Sequence, residues 1–167
     1  MKLMFALMIL AVFMIAIAFA LAAFRGQREE CHNEATTAGT HEDGKVPFVA
    51  EEAFATRHLL AKKGTGATQI LNGTANAKPW GTCLDEPGAG DGATVAVLGS
   101  VRGTLLMRAS EAIAVGADVY TAAAGKVQDL PAGAGTYYKV GVAITAAAAD
   151  GDLFEVAPCS PVATVVS

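Results

Sequence analysis

From Gly64 to the end, the chain never sustains twelve residues of helical periodicity. Its apolar runs are four to seven residues long, and turn signals interrupt them: Asn72-Gly73, Pro87-Gly88, Asp91-Gly92, Gly99, Gly103, Gly116, Gly125, Pro131, Gly133, Gly135, Asp150-Gly151, Pro158 and Pro161. Short runs with frequent turns predict an all-β domain, a small barrel or sandwich of short strands. Glycine stands at 18 and aromatics at 7%, so the core must be built from small and branched side chains.

Two segments align with one another. WGTCLDEPGAGDGATVAV (Trp80 to Val97) and VGVAITAAAADGDLFEV (Val140 to Val156) each read apolar, Gly, small, apolar, a small-residue stretch, Asp-Gly, then a strand. The alignment pairs Gly81 with Gly141, Leu84 with Ile144, Asp91-Gly92 with Asp150-Gly151 and Val97 with Val156, with one residue inserted in the first copy. Upstream, LLAKKG (Leu59 to Gly64) falls opposite YTAAAG (Tyr120 to Gly125). The expectation is two similar strand–corner–strand units. Ala146 to Ala149 alone would suggest a helix. The first copy has Pro87, Gly88 and Gly90 in that stretch, which a helix does not tolerate, so the alanines are predicted to form a permissive corner closed by Asp-Gly. Gly81, Asp91, Gly92, Gly141, Asp150 and Gly151 are the predicted structural positions.

The front of the chain differs. Leu3 to Phe24 is an uninterrupted apolar run, about 33 Å long as a helix and sufficient to span a bilayer. It reads as a transmembrane anchor, a signal peptide with small-x-small sites at Ala18-Phe19-Ala20 and Ala20-Leu21-Ala22, or a misassigned start. The anchor is preferred to the signal because the run exceeds a usual signal core. Residues 25–50 form a polar linker or arm, ending in the strand candidate VPFVA, where Val46, Phe48 and Val49 could contact a neighbour by strand addition. Residues 51–167 are the β-rich domain; within it, EEAFATRHLLAKKG (Glu51 to Gly64) is expected to be a strand in its second half.

Charge and motifs exclude several functions. After Lys63 there are five basic and nine acidic residues, so the whole net charge of −4 lies in that C-terminal part. An acidic, aromatic-poor domain is poorly suited to gripping phosphates, and direct nucleic-acid binding is disfavoured. Cys31, Cys83 and Cys159 fit no zinc or disulfide frame and read as isolated thiols. GAGDG and PAGAGTYYK lack the spacing of a nucleotide loop. Cys31, His32, His41, Glu42 and Asp43 match no metal-ligand spacing and read as a solvated linker. His58 lies just beyond that arm. Ser100, Ser110 and Ser160 have no nucleophile-elbow context. Asp91, Asp150, Asp152 and Glu155 could bind calcium weakly, but Asp-Gly between strands is ordinarily there for turn geometry. Asn72-Gly73-Thr74 is a glycosylation sequon, meaningful only in a eukaryotic secretory pathway. Trp80, Tyr137 and Tyr138 are expected to fill the barrel. No catalytic, cofactor or metal residues are assigned, and an enzyme is not expected.

Four stretches carry a resemblance: HEDGKVPFVAEEAFATRHLLAKKGT (His41 to Thr65), KPWGTCLDEPGAGDGATVAVLG (Lys78 to Gly99), ASEAIAVGADVYTAAAGKVQ (Ala109 to Gln128) and YKVGVAITAAAADGDLFEV (Tyr138 to Val156). In order and spacing, over roughly Thr40 to Val166, they resemble the capsid decoration, or head cement, proteins of tailed phages and prophages. The resemblance implies a barrel-like decorator without an active site on the outer face of an assembled capsid. Its partners would be the major capsid protein and its own copies, often as trimers. Met1 to Phe24 departs from that pattern, since a capsid protein assembled in the cytoplasm has no use for a membrane span. Hence the alternative expectation is a membrane-anchored or secreted, non-catalytic β-domain acting as a binding module.

Overall fold

The computed structural model describes residues 41 and 43–167. Residues 1–40, with the apolar run Leu3 to Phe24, Cys31 and His32, lie outside the described residues, as does Glu42.

Ten strands follow in chain order: β1 (Lys45–Ala50), β2 (Leu60–Lys63), β3 (Gln69–Asn72), β4 (Pro79–Cys83), β5 (Gly92–Val97), β6 (Leu105–Arg108), β7 (Asp118–Thr121), β8 (Val127–Gln128), β9 (Gly135–Ala143) and β10 (Leu153–Val166). The one helical element among the described residues is a 3-10 turn, Ala123–Gly125. The all-β expectation holds. β1 to β5 close into a barrel in the order β1-β3-β2-β4-β5, and β6 to β10 form a sheet in the order β6-β10-β9-β7-β8.

The second sheet repeats the first strand for strand. β1 meets β3 in parallel, with Ala50 opposite Ile70. An isolated parallel bridge, Ala109 to Val127, brings the end of β6 to β8 in the same way. β1 pairs antiparallel with β5 as β6 does with β10. The register slips between Ala61 and Lys62 in β2 against β4, and between Val119 and Tyr120 in β7 against β9. Even single hydrogen bonds recur. Ala50 N–H donates to Asp91 O at 2.9 Å, and Ala109 N–H to Asp152 O at 2.9 Å; Phe54 N–H donates to Pro87 O at 3.0 Å, and Ile113 N–H to Ala147 O at 2.9 Å.

This correspondence corrects the sequence alignment. Gly90, not Gly92, matches Gly151: their φ angles are +87° and +86°. Asp91 accepts from Gly88 N–H at 3.1 Å, and Asp152 accepts from Ala149 N–H at 3.0 Å. The shared corner is therefore Gly-Asp. Glycine takes the left-handed conformation, and the following carboxylate caps the backbone three residues back. Gly92 is instead the first residue of β5, and Asp150 pairs with Lys126 at 2.6 Å. Val156 corresponds to Val95, and Gly64 to Ala122, since Gly64 N–H and Ala122 N–H make the same bonds, to Gln69 O and Lys126 O. Identical letters two residues apart had drawn the alignment out of register.

Gly81 and Gly141 do match, but inside strands β4 and β9. A Cβ on Gly81 would overlap Ala96 O and Val95 Cγ1; on Gly141 it would overlap Ala157 O and Val156 Cγ1. Both glycines admit a neighbouring strand too close for any side chain. The four alanines are a corner without helix, but Ala147 is not a permissive site. It exchanges both backbone hydrogen bonds with Ile113 and is 4% exposed.

β1 also departs from expectation. VPFVA pairs with β5 from Lys45 to Val49 and with β3 at Val49 and Ala50, so the barrel starts at Lys45 and not at residue 51. Val46, Phe48 and Val49 are thus barrel residues, each registered with β5, and not part of an arm outside the domain. In EEAFATRHLLAKKG, only Leu60–Lys63 is strand.

Among the described residues, two packed clusters form the core. Phe54, Leu59, Ala61, Ile70, Cys83, Ala93 and Val95 form the interior of the barrel. Met107, Ile113, Val119, Val127, Val140, Phe154 and Val156 form that of the second sheet, and Leu60, Ala96 and Leu98 from the barrel join it. A fully buried side chain of this size contributes about 1.5–3 kcal/mol. Polar contacts add to the joint: Arg108 donates to Arg57 O at 3.1 Å, and Gly125 N–H donates to Gly73 O at 2.8 Å.

Candidate functional site

A surface groove of about 400 Å³ opens at the end of the barrel where β1, β4 and β5 meet the last strand. Each wall has a local cause. The slip between β2 and β4 leaves Trp80 as the extra residue of a bulge, between Gly81 opposite Ala61 and Pro79 opposite Lys62. A bulge re-aims its side chain. Trp80 meets Phe48 of β1 with ring centroids 5.3 Å apart and planes at 51°, a tilted aromatic pair. Both rings are half-buried.

The opposite wall comes from far along the chain. β10 runs in register with β9 to Pro158 and resumes at Val162, so Cys159 to Pro161 bulge away from the ladder. Pro158 and Pro161 have no N–H to give to that ladder, which suits them to this place. The bulge carries Ser160 and Pro161 into the groove. It passes so close to Gly99 (φ +84°) that a Cβ there would overlap Ser160 Oγ. Val97 and Leu98 form the floor, and Lys78 supplies the only charge among the lining residues.

The groove is apolar and aromatic, with one cation and one hydroxyl at its edge. Such a surface binds by burying a partner's apolar side chains; it holds no acid–base pair and no activated nucleophile. Among the described residues, no three His, Cys, Asp or Glu side chains gather as a metal site. The carboxylates considered for calcium are engaged by the protein itself. Asp91 and Asp152 cap corners, Asp150 pairs with Lys126, and Glu155 accepts from Thr104 Oγ1.

Other titratable groups serve the fold. Glu51 accepts from Thr65 and Gly66, which holds its carboxyl below the ordinary value, the Thr65 hydroxyl contributing most. Lys139 is raised by its hydrogen bond to Asp118, at 2.6 Å. Burial raises the thiols of Cys83 and Cys159, both unpaired. Burial also lowers His58, with Arg57 and Arg108 adding to the effect. His41 is exposed.

Sequence reasoning named Phe48 as an arm contact and Trp80 as barrel filler. The structure brings them together at the groove. Tyr137 and Tyr138 lie half-buried on β9 where it pairs with Thr164 and Ala163, and the interior is filled by other side chains, Phe154, Met107 and Ile113 among them. The groove role of Lys78, Ser160 and Pro161 was missed. The proline spacing in β10 was the available signal, but it does not say which distant strand the bulge would meet.

Comparison with known proteins agrees with this description. The N base of head fibre gp8.5 of bacteriophage phi29 is similar in fold, with a TM-score of 0.52 at 18% identity over 70% of this chain and 94% of that one. No curated protein matches the chain. A family model described as phage cement protein matches residues 65–158. That match runs from just before β3 to the bulge in β10, across both sheets, and so the chain belongs to the phage cement protein family.

Proposed function

We propose that this structural, capsid-associated protein decorates the outer surface of an assembled phage capsid and stiffens it, with the major capsid protein as its partner. The observation that carries the reading is the family match across both sheets. The groove supports it: an apolar surface with a single cation suits an interface and offers no reacting groups. We further propose that the protein acts as a trimer and without catalysis. The membrane alternative rests on Leu3 to Phe24. No helix among the described residues is long and apolar enough to cross a membrane.

The test is direct. Full-length protein is mixed with shells of its own phage assembled without it. Saturable binding in a fixed number of copies per shell, with higher thermal resistance of the shell, is the expected result. Absence of binding would sink the proposal. Sedimentation of the free protein, and counting of copies on the shell, test the trimer; a monomer in both would refute it.

A further inference from the structure

The internal repeat supplies a filled copy of the groove. Met107 and Val140 stand in the second sheet where Phe48 and Trp80 stand in the barrel: Met107 lies two residues before Ala109, as Phe48 lies two before Ala50, and Val140 is the extra residue of the β7–β9 slip, as Trp80 is of the β2–β4 slip. Met107 and Val140 are wholly buried, at 0% exposure. They share a packed cluster with Leu98, and Val101 packs against that cluster. Leu98 and Val101 belong to the segment that enters the second sheet. That sheet is thus covered at this end by apolar side chains arriving from outside its own five strands.

The short segment that leads into the barrel has a different composition. Gly44 (φ +67°) and Gly103 (φ +84°) make the same turn before the first strand of each unit. In the sequence aligned on these glycines, Gly39 and Glu42 fall opposite Leu98 and Val101. Residues 39–44 read Gly-Thr-His-Glu-Asp-Gly and carry no large apolar side chain. Phe48 and Trp80 are only half-buried among the described residues, and a partner can recover the remaining aromatic surface.

We infer that the Phe48–Trp80 groove is the docking site for an extended apolar segment of the capsid shell protein, one with a side chain of leucine or valine size beside a carboxylate. Size and apolarity follow from what fills the corresponding end of the second sheet. The carboxylate follows from Lys78, the only charge on the groove. A second copy also presents exposed leucines beside carboxylates, Leu130 after Asp129 and Leu153 after Asp152, and is the competing occupant that the oligomeric state in the test separates. The inference rests on the proposed capsid-binding function and names the surface that performs it.

Full-length Trp80→Ala, Lys78→Glu and Lys78→Arg are compared with wild type for binding to shells assembled without the protein. Val115→Glu, at an exposed turn of the second sheet, is the control. Wild type, Lys78→Arg and Val115→Glu should bind alike. Trp80→Ala and Lys78→Glu should bind at least tenfold more weakly, with circular dichroism unchanged. Lys78→Glu alters an exposed side chain and keeps the test valid if Trp80→Ala fails to fold. Wild-type affinity for a folded Lys78→Glu and a folded Trp80→Ala overturns the inference while leaving the capsid function standing. Failure of wild type itself to bind overturns both. Unchanged shell binding with an altered oligomeric state would assign the groove to a second copy and also overturn it.

Discussion

His58 stands in the barrel where Gly116 stands in the second sheet. Each residue has a positive φ, +68° and +82°, and each donates its N–H to the matching strand, to Cys83 O at 2.7 Å and to Ala143 O at 2.8 Å. The left-handed conformation is free for glycine and costs a side-chain-bearing residue about 1–2 kcal/mol. His58 also buries Nδ1 without a partner. His58→Gly is therefore expected to raise stability by about 1 kcal/mol, the repeat having already shown that glycine fits. Chemical denaturation of the two proteins checks it; a loss above about 1 kcal/mol would mean that the imidazole packing outweighs the strain.

The same histidine makes stability depend on pH. Burial, and then Arg57 and Arg108, lower its folded-state pKa below the ordinary 6.5. Below that value the unfolded chain takes up a proton that the folded chain resists. The contribution of neutral His58 is thus whole above about pH 6.5 and declines as pH falls toward the lowered folded value. Midpoints of urea unfolding at pH 7.5 and 5.5 should differ more for wild type than for His58→Gly. Equal pH dependence in the two would remove His58 as the cause.

Thr82 is wholly buried and its Oγ1 has no hydrogen-bond partner. Its counterpart in the second sheet is Val142, which follows Gly141 as Thr82 follows Gly81. A buried hydroxyl without a partner costs about 1–3 kcal/mol, and valine has the same shape without it. Thr82→Val should stabilise the protein by about 1 kcal/mol, measured by thermal or denaturant unfolding. A destabilised variant would indicate that the hydroxyl is satisfied in solution.

Gly141 and Gly151 should fail in different ways. Nothing lies within 4 Å of a Cβ at Gly151, so Gly151→Val suffers only from its backbone, φ +86°, by about 1–2 kcal/mol. At Gly141 the obstacle is Ala157 O, a backbone atom that cannot step aside. Gly141→Ala should cost more, about 2–3 kcal/mol. Unchanged unfolding midpoints for Gly151→Val would contradict the corner described here.

The alanine corner gives a paired comparison. Ala147→Gln places a polar side chain in the core beside Ile113 and should cost about 2–4 kcal/mol, whereas exposed Ala148→Gln should stay within about 0.5 kcal/mol. Similar effects at the two sites would count against the burial of Ala147.

Much of this was legible in the chain itself. Short apolar runs between glycine and proline can become only short strands and tight turns, because those residues cut every helix before it propagates. The pairing of Gly81 with Gly141 was readable too, since a strand that must pass against a carbonyl leaves no alternative residue. Tertiary structure decided the register and extent of the repeat. Equivalence between the two units lies in backbone angles and hydrogen bonds, which different residues meet equally well: His58 and Gly116, Thr82 and Val142, Asp85 and Thr145, each of the last pair accepting from the backbone N–H of Thr94 or Glu155. Side-chain letters therefore under-report the duplication, and a chance Asp-Gly in both copies misplaces it. The groove was decided at the same level. Its walls come from β1, β4, β5 and a bulge in β10, and only long-range strand pairing determines that Trp80 and Pro161 share one surface.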